Sequence, residues 1–160
     1  MNITEFDELP VAEAERELRA VCAAPRWARE VAAGRRYATV EALQATAEGA
    51  LTDADLDEAM AGHPRIGDQA AGGASRREQS GVASADAAVL TALAEGNRAY
   101  EERFGHVYLV CATGRSAEDL LATLRARLGN DAETERKVAL RELAAINRIR
   151  IEQMAGEGAL

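Results

Sequence analysis

The chain has 160 residues and a formal net charge of −8, and this length is typical of one domain with its own core. Hydrophobic residues make up 48% of the chain and aromatic residues only 4%, a mixture that favours helices. The acidic balance argues against a general nucleic-acid binder, which needs Lys and Arg to neutralise phosphates. Because no apolar run approaches the ~18 residues of a membrane span, we expect no membrane partner.

Start and stop signals predict four helices in the first part of the chain. We expect them at about residues 10–24, 25–33, 40–49 and 53–61. The signals are Pro10 and Pro25 in first-turn positions, Thr39 as an N-cap, Thr52 with Asp55 as a capping box, and Gly34 and Gly62 as stops.

A Gly-rich stretch, GHPRIGDQAAGGASRREQSGVA, interrupts this pattern at residues 62–83. We expect a long loop there, with the short polar island SRREQS inside it. A loop of this length in a compact domain is usually functional or disordered. Because Gly67, Gly72 and Gly73 lie between His63 and Glu78, we also expect residues 67–74 to be mobile without ligand and to become ordered when a substrate analogue binds. The alternative is that these glycines only let the chain pass close to a neighbouring helix, without any closure.

The signals after the loop predict two further helices, a connector and a last helix. Ser84 is expected to cap a helix at about 85–103, Ser116 with Asp119 to start one that ends at Leu128, and the last to run from about 131 to 154. HVYLVCAT at 106–113 is rich in β-formers, but no second strand is available, so we expect an extended connector or a helical turn. The sequence therefore predicts an all-α, single-domain bundle of about seven or eight helices over residues 1–160, with one long Gly-rich active-site loop.

The two cysteines, Cys22 and Cys111, lie far apart among apolar neighbours and fit no metal-ligand or CxxC spacing. We expect both to be reduced core residues. The N-terminal MNITEFDELP lacks the basic region and apolar run of a secretory signal, so we expect a cytoplasmic protein.

His63 is the first candidate for chemistry. Gly62 and Pro64 on either side argue against regular structure, and Pro64 stiffens the chain that would hold the imidazole in one orientation. The alternative is that His63 is an ordinary solvent-exposed residue at a turn.

The polar island supplies the second candidate. Ser75 and Glu78 are three residues apart, so one helical turn would place them on one face, and Gln79 follows directly. A Glu near a neutral imidazole can fix its tautomer or raise its basicity. The alternative is a solvated helical turn without a role.

Arg150 is the third candidate. Leu143, Ile146 and Met154 form an apolar stripe on the last predicted helix, and Arg150 falls on it, whereas Arg148 projects about 200° away. A guanidinium on an apolar face must be paired or line a cavity, because an isolated buried charge is costly. The alternative is that Arg150 extends its head to solvent from the helix end.

Together these candidates would form a small polar pocket suited to a planar, polar anion. The sequence contains no GxxxxGK[ST], HExxH, GxSxG or GxGxxG motif, and it has too few Cys and His for a zinc site. We therefore expect an enzyme of this sequence to work without a metal or an organic cofactor.

Five stretches resemble motifs of the OHCU decarboxylases, the 2-oxo-4-hydroxy-4-carboxy-5-ureidoimidazoline decarboxylases of urate degradation. They are AGHPRIGD (61–68), SRREQSG (75–81), NRAYEERFGHVYLVCATGRS (97–116), LRARLGN (124–130) and INRIRIEQM (146–154). The resemblance extends over about residues 3–155. Its most specific part is HPRIG followed by SxxEQxG and then by YExRFG.

The resemblance implies an all-α fold without a cofactor, a small-molecule substrate and usually a homodimer. It implies that the urate-derived imidazoline is decarboxylated to (S)-allantoin. By motif, the catalytic pair corresponds to His63 and Glu78. The substrate-contacting positions correspond to Pro64, Ser75, Gln79 and Arg150.

Two alternatives stay open. One is a non-enzymatic helical interaction module with SRREQS as a surface docking turn, in which a buried Arg150 would have no purpose. The other is an acyl or ureido hydrolase that uses the same pocket, although the sequence offers it no nucleophile or metal.

Overall fold

The computed structural model describes residues 1–67, 73–82 and 85–156, and these residues form nine α-helices and no strand. The helices are α1 Ile3–Glu8, α2 Val11–Val21, α3 Pro25–Ala33, α4 Val40–Ala50, α5 Asp53–Ala61, α6 Gly73–Glu78, α7 Ala87–Phe104, α8 Ala117–Arg127 and α9 Ala132–Ala155. The predicted all-α fold is confirmed. None of the described helices has the length and apolar character that crossing a membrane requires.

Two short helices raise the count above the predicted seven or eight. In α1, Asn2 accepts a hydrogen bond from the Glu5 backbone N–H, and the Asn2 N–H donates to the Glu5 carboxylate, both at 2.9 Å. This capping box stabilises a helix of only six residues. The second is α6, which contains the first part of SRREQS and ends at Glu78, inside the stretch predicted as a loop. Residues 68–72 and 83 of that stretch lie outside the described residues.

The capping residues of α4 and α8 are confirmed. Thr39 and Ser116 each accept a hydrogen bond at 3.1 Å from the backbone N–H three residues on. The start of α7 differs from the prediction, because Asp86 directly precedes the helix and accepts from the Val89 N–H at 2.9 Å. The predicted cap, Ser84, lies outside the described residues.

The end of α2 also differs from the prediction. The helix stops at Val21 rather than near residue 24, and Cys22 and Ala24 are extended. Pro25 occupies the first position of α3 and disfavours a helical conformation in the residue before it. The connection between the two helices therefore contains the three residues between Val21 and Pro25.

The chain groups into two compact units. The first contains residues from Met1 to Ala59 and those from Ala144 onward. Its fully buried core includes Trp27, whose indole Nε1–H donates to the Ala47 carbonyl oxygen at 2.8 Å. The largest apolar side chain of this unit is therefore both buried and hydrogen-bonded.

The second unit extends from Met60 to Leu143. Leu93 and Tyr100 of α7 pack there against Leu120 and Leu124 of α8, and Ile66 from the loop after α5 joins the same core. Residues 107–112 are neither helix nor strand, which fits the predicted connector better than the predicted helical turn, and their buried side chains belong mostly to this core. The loop and the connector are thus attached to the helices by buried apolar contacts.

A buried ionic cluster ties the helices of this second unit together. Glu135 of α9 is fully buried, and it pairs with Arg127 of α8, whose Nε donates to Oε1 at 2.7 Å. The Tyr100 hydroxyl donates to the same oxygen at 2.5 Å, and Asn130 Nδ2 donates to Oε2 at 3.0 Å. Arg127 Nη1 also donates to the Leu109 carbonyl at 2.7 Å, which fixes the connector to α8.

Candidate active site

The HPRIG motif forms the irregular segment that follows α5. The backbone N–H of His63 donates to the Met60 carbonyl oxygen at 3.0 Å as the helix ends. His63 and Pro64 are both half-buried. Since a solvent-exposed turn residue would be largely accessible, the position of His63 argues against that alternative.

Two amide side chains hold the backbone of this loop. Gln79 Oε1 accepts from the Gly67 N–H at 2.9 Å, and Gln79 Nε2 donates to the Arg65 carbonyl at 3.4 Å. On the other side, Asn97 Nδ2 of α7 donates to the Ile66 carbonyl at 3.0 Å. Three consecutive residues of the loop are therefore hydrogen-bonded to side chains from other segments.

Backbone geometry requires glycine at one position in each of the two motifs. Gly67 has a φ of +89°, in the left-handed region that disfavours other residues. At Gly81, an added Cβ would lie 2.3 Å from the Arg115 carbonyl oxygen. Gly67 is thus required by its backbone conformation, and Gly81 by the close approach of the Arg115 backbone.

Glu78 is the last residue of α6 and is only 9% exposed. Ser75 lies one turn earlier and is half-buried, and its carbonyl accepts from the Gln79 N–H at 3.1 Å. Because Gln79 directly follows Glu78 and binds the loop of His63, the two predicted motifs meet in the second unit.

Glu78 also acts on the connector. Burial raises the pKa of the Cys111 thiol, and the negative charges of Glu142 and Glu78 raise it further. Glu142 Oε1 of α9 accepts from the Cys111 backbone N–H at 3.1 Å. Cys111 is half-buried, which corrects the prediction that it is a core residue. The Glu142 carboxylate therefore lies beside the connector, and the charge of Glu78 also acts on the Cys111 thiol.

Arg150 belongs to the first unit and lies on α9. Its Nη1 donates to the Val21 carbonyl oxygen at 3.0 Å, and the residue is half-buried, whereas Arg148 is exposed. The buried face of this part of α9 contains Ile146, Asn147 and Ile151, so Arg150 lies at its edge. Arg148 is exposed as predicted, whereas Arg150 lies at the edge of the buried face and not on the apolar stripe itself.

The surroundings of Arg150 include a neutral thiol. Burial raises the pKa of Cys22 to about 11, although the neighbouring Asn147 side chain and the charge of Arg150 act in the opposite direction. Cys22 is 1% exposed and unpaired, as predicted. The Cys22 thiol is therefore protonated at neutral pH.

A cleft of about 410 Å³ lies on the α7 side of the loop in the second unit. Residues 65–67 line one wall, and Ala94, Asn97, Arg98 and Glu101 line the other. Arg65 Nε crosses the cleft to the Glu101 carboxylate at 3.0 and 3.1 Å. His63 and Glu78 are not among the described residues that line it. In the described parts of the chain, no three His, Cys, Asp or Glu side chains are grouped to hold a metal ion.

Sequence reasoning did not single out Asn97 or Glu142. Asn97 lies on α7 between the buried residues Leu93 and Tyr100, at spacings of four and three residues. A polar residue on an apolar stripe is the signal that identified Arg150, and it would have identified Asn97 as well. Glu142 has no comparable local signal, because its partner is 31 residues away.

Comparison with known protein families identifies the class of protein to which this helical fold and these two motifs belong. A family model described as OHCU decarboxylase matches residues 7–152. The chain belongs to the OHCU decarboxylase family.

Curated relatives and solved structures agree with this family. The chain is 27% identical over 156 residues to the Uric acid degradation bifunctional protein TTL of Arabidopsis thaliana, covering 91% of this chain and 48% of that protein. It is 33% identical over 76 residues to the 2-oxo-4-hydroxy-4-carboxy-5-ureidoimidazoline decarboxylase of Amia calva, covering 48% and 43%. The chain thus spans about half the length of the curated relatives that it matches.

A crystal structure of OHCU decarboxylase in the presence of (S)-allantoin matches 86% of this chain and 95% of its own, with a TM-score of 0.76 and 27% identity. The structure of an (S)-allantoin synthase matches 97% of this chain and 54% of its own, with a TM-score of 0.73. At 19% identity, the second likeness shows the fold alone.

Proposed function

We propose that this chain decarboxylates 2-oxo-4-hydroxy-4-carboxy-5-ureidoimidazoline to (S)-allantoin in urate degradation. The family match over residues 7–152 carries the proposal. The likeness to an OHCU decarboxylase crystallised in the presence of (S)-allantoin supports it, since that likeness extends over 95% of the other chain.

The chemistry of the substrate explains what the protein must do. When the bond between the ring carbon and the carboxylate breaks, CO₂ leaves and its bonding electrons stay on the ring. The adjacent ring C=N group can accept these electrons. A proton must then reach the carbon that bears the ureido group from one side only, because that carbon is the stereocentre of allantoin.

His63 is proposed as the general acid and base that handles this proton. The imidazole of histidine is the side chain best suited to proton transfer at neutral pH. Its half-buried position on a hydrogen-bonded loop supports a fixed direction of transfer. Glu78 is proposed to orient His63 or to accept an N–H of the ring or of the ureido group, and its burial keeps that carboxylate from competing water.

The remaining proposed contacts are with the polar groups of the substrate. Arg150 would present two N–H groups to carboxylate or carbonyl oxygens, and Pro64 and Ser75 are assigned by motif. Gln79 already binds the loop through both ends of its amide. An amide has a second lone pair and a second hydrogen, so Gln79 can hold the loop and the ureido edge of the substrate together.

Circular dichroism tests the activity directly. Urate, urate oxidase and 5-hydroxyisourate hydrolase generate the substrate in the cuvette, where it also decays without catalysis. With this protein present, the signal of one allantoin enantiomer should appear faster and reach a larger amplitude. If rate and amplitude equal those without the protein, the proposed function is wrong.

We further propose that residues 1–160 act as one catalytic domain, in a cytoplasmic homodimer. The first compact unit contains residues from both sides of the second along the sequence, which supports a single folding domain. Two unpaired cysteines are typical of a reducing compartment, and the family resemblance supports the dimer. Light scattering of the purified protein and fractionation of cells test these proposals.

A further inference from the structure

The side chain of Asn97 donates the hydrogen bond that fixes the Ile66 carbonyl, at 3.0 Å. Ile66 lies three residues after His63 and is 6% exposed, so its carbonyl is in a part of the molecule with little access to water. A buried carbonyl needs a donor. Asn97 provides it from α7, a helix that is anchored in the core of the second unit.

The oxygen atom of the same Asn97 amide lowers the stability of the folded state. Within the described chain no donor reaches Asn97 Oδ1, and this oxygen is also shielded from solvent. A buried acceptor without a partner destabilises the folded state. Since the neighbours on this face, Leu93 and Tyr100, are fully buried, an apolar residue at position 97 would suit the helix better.

We propose that Asn97 is a positioning residue for the decarboxylation, and that it acts by fixing the loop that presents His63. The inference rests on the proposed function. Gln79 holds the adjacent Gly67, so loss of the Asn97 bond would free one side of the loop while the other stays attached. Pro64 restricts the chain between Ile66 and His63. A displacement of the Ile66 carbonyl therefore reaches the imidazole, and about 1 Å of misplacement can lower a rate by about 100-fold.

The leucine variant separates positioning from stability. Asn97→Leu removes both the donor and the unpartnered oxygen, so its two effects on stability oppose each other. The melting temperature should therefore stay within about 4 °C of wild type. The kcat should fall about 10- to 100-fold, as for other groups that orient a catalytic residue, with little change in KM. If the Asn97→Leu variant does not fold, Asn97→Ala gives the same test, because it only removes atoms.

Leu93→Ala is the matched control on the same helix. Leu93 is fully buried one turn before Asn97 and carries no polar atom. Its truncation leaves a cavity and should lower the melting temperature more than Asn97→Leu does, while kcat per folded molecule stays within about twofold. If kcat follows stability in both variants, Asn97 is only structural and the proposal is wrong.

A second readout does not depend on turnover. The chain has two histidines, His63 and His106, so NMR of histidine-labelled protein gives two assignable ring signals. Asn97→Leu should shift or broaden the His63 signal, and Leu93→Ala should leave it in place. An unchanged His63 signal in Asn97→Leu overturns the proposal. If the wild type has no decarboxylase activity, the proposed function fails, and the His63 signal alone still decides whether Asn97 fixes the loop.

Discussion

Replacing Glu135 by glutamine tests the buried ionic cluster of the second unit. The substitution keeps the size of the side chain and removes its charge. Arg127, whose side chain is 7% exposed, would then be a buried cation without its carboxylate partner, since the Glu135 side chain is itself 0% exposed. Glutamine also turns one acceptor oxygen into a donor, so the bonds from Tyr100 and Asn130 cannot both be kept.

The expected loss follows from these contacts. Removing one partner of a buried ion pair costs about 3–5 kcal/mol. Because glutamine retains one acceptor oxygen, we expect the lower end, about 3 kcal/mol. Domains have a free energy of unfolding of roughly 5–15 kcal/mol, so the loss is a large fraction of the total. At about 2–4 °C per kcal/mol for a chain of this size, the melting temperature should fall by about 6–12 °C.

Urea unfolding followed by far-UV circular dichroism measures this loss, because urea does not screen charges as a salt would. The matched control is Glu133→Gln, on the same helix. The Glu133 side chain is 83% exposed and contacts Lys137 at 3.4 Å, so its loss should change stability by less than about 0.5 kcal/mol. If Glu135→Gln lowers the free energy of unfolding by less than about 1 kcal/mol, the reasoning is wrong. Water would then reach Arg127, and its charge would not be desolvated in the cluster.

Three further predictions concern the site and the thiol. His63→Asn should abolish turnover in the allantoin assay and leave the helical dichroism intact, so activity within a few-fold of wild type would exclude His63 as acid and base. Arg150→Met should lower kcat/KM by a factor that corresponds to about 2–5 kcal/mol of lost binding free energy. Arg148→Met should leave kcat/KM almost unchanged. The reverse result would make Arg148 the substrate contact. Because burial raises the pKa of Cys22 from 9.0 to about 11, its contribution to stability is complete below pH 9 and should fall by about 2–3 kcal/mol as pH rises from 9 to 11. Chemical unfolding across that range should show a steeper decline in wild type than in Cys22→Ala, and equal slopes would contradict the shift.

Signals within a few residues of one another were sufficient for most of the helices. Thr39 and Ser116 are recognisable as caps because their partners are three residues away. The same local argument separated Arg150 from Arg148, since two residues on a helix differ by about 200°. The spaced HPRIG and SRREQSG motifs indicated the family, which the match over residues 7–152 confirms. The predicted roles of the residues in those motifs stay predictions.

The tertiary structure alone decided which polar groups meet. Asn97 binds Ile66 across 31 residues, and Glu142 binds Cys111 across the same separation. The Glu135 carboxylate accepts hydrogen bonds from Arg127 of one helix and Tyr100 of another. The charged residues around Glu135 in the sequence would instead predict a surface position. None of these pairs has a fixed spacing in sequence, because their distance depends on how α7, α8 and the part of α9 up to Leu143 pack in the second unit. Side-chain periodicity can predict that a polar residue faces inward, but only the packed helices determine the donor or acceptor that it meets there.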